Sequence, residues 1–143
     1  MSKKFSALAG CLAVLFVTSG CYTTLTINCG NGTPEKIRVK SDYTGQEIEV
    51  PPNRFKKLPH SSGDIEVTTR SNGKFKFADV APFHVEDKYL LKRKSVFGPG
   101  SVTLNVMLET NMQLYVVMPG RKAVDQSEDQ PKGFPKVGQQ LNP

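Results

Sequence analysis

The sequence predicts an all-β protein: a small antiparallel β-sandwich or barrel of about seven or eight strands. Three observations carry that expectation. From Thr24 onward the apolar residues recur with a period of two rather than 3.6. The alternating runs are short and are separated, about every ten residues, by Gly, Pro, Asn and Ser. No segment in this region sustains a helical pattern, and the one stretch that begins to, Ala78 to Lys88, is interrupted by Pro82. The 143 residues are one domain's worth, and 38% hydrophobic with 22% charged residues is ordinary globular composition, enough to bury a core.

The elements follow in order. Thr24 to Asn28 alternates around Leu25 and Ile27, and this first strand belongs to a short N-terminal piece, residues 21–33. The main domain is expected over residues 34–120. Lys36 to Ser41 turns Ile37 and Val39 inward and Lys36, Arg38 and Lys40 outward, and Gln46 to Val50 does the same with Ile48 and Val50 against Glu47 and Glu49. Between them Asp42-Tyr43-Thr44-Gly45 suits a hairpin loop with Gly45 in the left-handed position. Phe55 to Leu58 resumes after Pro51-Pro52-Asn53. Ile65 to Arg70 and Lys74 to Phe77 form a second hairpin across Ser71-Asn72-Gly73. Tyr89 to Lys94, Ser101 to Glu109 and Gln113 to Met118 complete the set, the last apolar on both faces and therefore expected to be central. Residues 121–143 are polar and punctuated by Pro and Gly, which predicts a flexible tail.

The N-terminus has a different character. Lys3 and Lys4 precede a 13-residue apolar run, Phe5 to Val17, that ends in Thr18, Ser19 and Gly20. This is the three-part layout of a secretory signal helix over residues 1–20, too short for the roughly 20 apolar residues of a membrane span. Thr18-Ser19-Gly20-Cys21 then resembles the lipobox of bacterial lipoproteins, in which cleavage after Gly20 leaves Cys21 as the acylated first residue. Leu8-Ala9-Gly10-Cys11 matches the preferred letters better, but no apolar region precedes it, so position selects Cys21. The resemblance implies a membrane tether of two or three acyl chains, each buried methylene contributing about 0.8 kcal/mol. Tyr22, rather than Asp, follows Cys21, and in a two-membrane cell that implies an outer-membrane lipoprotein facing the periplasm. The alternative is ordinary cleavage, after which Cys21 and Cys29 could form a disulfide.

Removing Lys3 and Lys4 from the 19 Lys and Arg leaves 17 against 13 Asp and Glu, a net charge of +4. That excess suits an anionic membrane surface and is too diffuse to imply nucleic acid. Basic residues flank apolar ones in two places, Arg54, Lys56 and Lys57 around Phe55, and Lys92-Arg93-Lys94 after Leu91. These are candidate binding surfaces, although strand alternation alone also accounts for them.

No catalytic set, metal set or cofactor motif is evident. His60 and His84 are isolated beside prolines in expected loops, no HExxH, GxSxG, P-loop or CxxC is present, and DQSED in the tail lacks the glycine of a calcium loop. The expected function is that of a lipid-anchored, non-catalytic β-domain binding a protein or cell-wall partner. Two alternatives are an inhibitor or immunity-type lipoprotein, similar in design to the small β-barrel lipoproteins that inhibit lysozymes but without an evident disulfide, and an accessory lipoprotein of a secretion or phage-derived apparatus.

Overall fold

The computed structural model describes residues 23–98, 100–125 and 128–142. The leader, the cleavage position at Gly20 and Cys21 lie outside them. Eleven strands follow one another: β1 (Thr23–Asn31), β2 (Ile37–Ser41), β3 (Glu47–Val50), β4 (Phe55–Pro59), β5 (Ile65–Thr69), β6 (Gly73–Phe77), β7 (Leu90–Arg93), β8 (Gly100–Leu108), β9 (Gln113–Val116), β10 (Lys136–Val137) and β11 (Gln139–Leu141). Single 3-10 turns at Pro82–His84 and Asp87–Tyr89 are the only helical segments among the described residues.

The strands form two sheets. One has the order β10-β9-β8-β1-β4, with β7 paired to the first half of β8, and the other runs β11-β6-β5-β2-β3. The core lies between them, with Ile27, Leu58, Leu104 and Leu108 from the first sheet meeting Ile37, Val50, Ile65 and Phe77 from the second, all essentially inaccessible. Each such side chain contributes about 1.5–3 kcal/mol by leaving water. The expected alternation is visible strand by strand: β2 is buried at Ile37, Val39 and Ser41 and exposed at Arg38 and Lys40. Its outer charges pair with β3, Lys36 Nζ and Arg38 Nε lying 3.3 and 3.4 Å from the Glu49 carboxylate.

The all-β sandwich is as expected, with differences in strand number, direction and tail. The first difference is a parallel pair at the centre: β1 and β8 run side by side in register from Thr23↔Gly100 to Asn31↔Leu108. Alternation specifies which face a residue takes and says nothing of the partner's direction, so an entirely antiparallel sheet was not required by it. The pairing places like beside like. Inside, Leu25, Ile27 and Cys29 match Val102, Leu104 and Val106. On the outer face the Thr26 and Thr103 hydroxyls are 2.9 Å apart and Asn28 Nδ2 donates to Asn105 Oδ1 at 3.2 Å. The N-terminal piece is thus the centre of a sheet rather than an appendage to residues 34–120.

The second difference corrects the tail. The sequence predicts a free tail over residues 121–143, yet within it Lys136–Val137 supplies β10 to β9 and Gln139–Leu141 supplies β11 to β6. Backbone groups, not side-chain hydropathy, make these contacts. Gln130 uses its side-chain amide as a strand would use its backbone: Oε1 accepts from Val116 N–H at 2.8 Å and Nε2 donates to Val116 C=O at 3.0 Å. Phe134 packs on the core. At Gly138 the chain passes from one sheet to the other so close to Phe77 that a Cβ would lie 2.9 Å from its ring. With β10 on its free edge, β9 is internal at that point, as its two apolar faces imply.

Candidate functional site

Strand direction gives the sandwich two dissimilar poles. At one, β1 and β8 begin together and the connection from β7 to β8 folds over. At the other, β1 and β8 end, and the segments Asn31–Glu35, Arg70–Gly73 and Glu109–Met112 converge.

The far pole is organised by Asn31, which is completely buried. Its amide Nδ2 donates to Glu35 C=O at 2.7 Å and Val50 C=O at 2.9 Å, while Oδ1 accepts from the Thr33 amide and hydroxyl at 2.9 and 2.7 Å. One side chain therefore ties the exit of β1 to the end of β3. Glu35 in turn accepts from the Ser71 amide at 3.1 Å and hydroxyl at 2.8 Å, holding the β5–β6 hairpin tip against it. Those two hydrogen bonds, the amide first, lower the Glu35 carboxyl below its ordinary value. Across the pole, Asn72 Nδ2 reaches Met112 Sδ at 3.5 Å.

Between these residues lies an open cleft of about 280 Å³, lined by Thr33, Pro34, Glu35, Ser71, Asn72, Thr110 and Met112. Two of the three non-glycine residues with positive φ among those described are at this pole, Asn53 (57°) and Met112 (60°). Asn tolerates that conformation, whereas Met is uncommon in it, and such conformations persist where the surroundings hold them. Met112 is held by its amide, which donates to Glu109 C=O at 2.9 Å, and by packing on the core. Glu109 stands beside Gly32, where a Cβ would meet its carboxylate at 2.8 Å, and burial raises its pKa.

The two basic clusters singled out by sequence do not meet. Phe55 and Lys57 project from β4 at one side of the sheet, and Lys92 and Arg93 from β7 at the other, with β1 and β8 between them. Lys57 is level with Asn28 and Asn105 and Arg93 with Ser101, a separation of about 14 Å across and about 13 Å along the strands. Phe55 is half-buried and lies over Gly30, so close that a Cβ there would be 2.5 Å from the ring. Its role is to cover the sheet. Arg54, Lys56 and Lys57 are exposed, and the Arg54 carbonyl accepts from Asn31 N–H. Lys92 is paired with Asp87 at 2.8 Å, while Arg93 and Lys94 are exposed at the near pole.

His60, expected in a surface loop, is 1% exposed. Its Nε2 lies 2.7 Å from Val80 C=O, which can only accept, so Nε2 carries the proton and Nδ1 accepts from the Ser41 hydroxyl, also at 2.7 Å. It is a structural cross-tie between β2, β4 and the segment after β6. His84 is exposed, 3.6 Å from Asp79. Among the described residues no group of three or more His, Cys, Asp or Glu is placed to hold a metal ion.

Cys29 is a buried free thiol, its pKa pushed up to about 12 by burial. The other half of the disulfide alternative, Cys21, lies outside the described residues.

Asn31, Glu35 and Met112 carried no sequence signal of function. Only the turn-forming string Asn31-Gly32-Thr33-Pro34 marked the place. Compared with known proteins, the chain matches no family model, no curated protein and no solved structure. Fold and site define a class: a β-sandwich with one pole at the start of its first strand and a small shaped cleft at the other.

Proposed function

We propose that the chain is a lipid-anchored, non-catalytic β-domain of the cell envelope that binds a protein or cell-wall partner through the far pole. The observation that carries this reading is the direction of β1. The strand begins two residues after Cys21 and runs nine residues, about 30 Å, to Asn31. A tether at Cys21 therefore holds the first pole at the bilayer and presents the cleft between Glu35 and Met112 to the surroundings. No helix of the described residues is long and apolar enough to cross a membrane, so acyl chains supply the attachment in this reading. With Tyr22 after Cys21, the inner leaflet of an outer membrane is the proposed location.

The cleft's size favours a macromolecular partner over a metabolite. At about 280 Å³ and open to solvent, it falls just below the range of small-molecule pockets and accommodates one inserted side chain or loop. The cleft is mostly uncharged, with Glu35 already engaged by Ser71, which suits a neutral polar or apolar insert. An accessory role beside a larger envelope assembly is favoured over hydrolase inhibition, because Cys29 is a buried thiol and the disulfide of the inhibitor lipoproteins has no counterpart among the described residues.

A photo-reactive amino acid at Asn72 in the full-length protein, crosslinked in growing cells, tests the reading. One discrete protein or peptidoglycan adduct is expected from Asn72, lost when Met112→Arg fills the cleft and absent from a probe at Glu47 on the other pole. Adducts from Glu47 with none from Asn72 overturn it.

A further inference from the structure

Five large hydrophobic side chains are strongly exposed among the described residues: Tyr43, Phe83, Val96, Phe97 and Val137. Four of them belong to the near pole. Val96 and Phe97, 89% and 101% exposed, lie in the connection between β7 and β8, directly beyond the Arg93↔Ser101 pair and next to Gly100, which is in register with Thr23. Tyr43 is in the β2–β3 loop, which Thr44 Oγ1 fastens to Pro59 C=O at 3.3 Å, and the next amide, His60 N–H, donates to Leu25 C=O. Phe83 sits in the turn that follows Val80, itself tied to His60.

Charge accompanies this apolar tip. Arg93 and Lys94 precede Val96, separated from it only by Ser95, are exposed, and have no ion-pair partner among the described residues. Exposed apolar residues flanked by unpaired basic ones suit the boundary between anionic headgroups and acyl chains, where Phe enters and Arg or Lys remains with the phosphates. The position selects this occupant over a protein. Thr23 is two residues from the proposed acylated Cys21, so the tip lies within about one Debye length of the bilayer to which the chain is attached.

We propose that the Lys94–Gly98 loop is a second membrane contact, inserting Val96 and Phe97 into the interface of an anionic bilayer beside the lipid anchor, and so fixing the domain upright. This rests on the anchor reading for the loop's position, while the contact itself is separately measurable.

The chain contains no tryptophan, so Phe97→Trp introduces a unique fluorophore at a fully exposed site. The full-length, membrane-extracted protein carrying this change is reconstituted in phosphatidylcholine–phosphatidylglycerol vesicles containing lipid brominated on its acyl chains. Val137→Trp, 73% exposed and paired with Gln113 at the far pole, is the control. The expected result is blue-shifted emission and quenching at least about twofold stronger at position 97 than at 137, weakened by Arg93→Gln with Lys94→Gln. Acylation of Cys21 is measured by mass on the same samples. Acylated protein with equal, water-like emission from both positions overturns the loop contact and leaves the anchor intact. Unacylated protein whose position 97 is still quenched supports the loop contact while the anchor reading falls. Protection of position 97 by an envelope extract but not by vesicles overturns the proposal in favour of a protein partner.

Discussion

Gly100 lies in register with Thr23 across the parallel β1–β8 pair. The two strands therefore start at one pole, where the β7–β8 connection also lies. A close backbone approach accompanies this arrangement, since a Cβ on Gly100 would be 2.9 Å from Arg93 C=O. Under the proposed anchor at Cys21, the start of β1 would set the orientation of the sandwich at the bilayer.

His60 is a buried cross-tie near that pole. His60→Ala leaves the buried Ser41 hydroxyl and Val80 carbonyl without their ring partner, and should cost about 2–4 kcal/mol in denaturant unfolding. His60→Gln, which keeps one donor and one acceptor, should cost less. Equal loss in both variants would show that ring volume rather than the hydrogen-bond chain matters.

Gly30 should be intolerant of any side chain, because Phe55 occupies the space a Cβ would take. Gly30→Ala is expected to lower stability by about 1–3 kcal/mol through overpacking. In the double variant with Phe55→Ala the two losses should be less than additive. Strict additivity would mean the ring moves aside freely.

Gln130→Ala removes both hydrogen bonds to Val116 and should loosen the segment that leads to β10 and β11. A loss of about 1–2 kcal/mol is expected, with faster hydrogen exchange at the Val116 amide than at Leu58. Unchanged exchange at Val116 would contradict the strand-like role of this side chain.

The Cys29 thiol gives the protein an alkaline limit. Its ordinary pKa of 9.0 is raised to about 12 in the fold, so between those values the unfolded chain has lost a proton that the native state keeps. Stability is then fully present below about pH 9 and falls by up to about 1.4 kcal/mol per pH unit as pH rises toward 12. Cys29→Ala should flatten that part of the curve, measured by urea unfolding from pH 8 to 11. The native thiol should also resist a maleimide at pH 8 that labels the unfolded chain.

Much of the fold was legible because side-chain alternation reports burial directly: Ile37, Val39, Ile65 and Val67 face inward as their spacing requires. What alternation cannot encode is the identity and direction of a strand's partner, so nothing in the sequence marks the parallel β1–β8 pair. The pairing of the tail is hidden for a related reason. Gln130, Lys136 and Gln139 are polar, and their contribution is a backbone or backbone-like ladder that hydropathy does not register. At the candidate site the difficulty is distance along the chain, since Glu35, Ser71 and Met112 come together only through the convergence of three connections. The basic clusters were conspicuous in sequence but are separated by two intervening strands.

The orientation of the sandwich, and with it the assignment of a membrane pole and a partner-facing pole, depends on Cys21. The most direct measurement is metabolic labelling of the full-length protein and its variants with an alkyne fatty acid. Labelling abolished by Cys21→Ser and retained in Cys11→Ser is the expected result. Labelling that survives Cys21→Ser would contradict it.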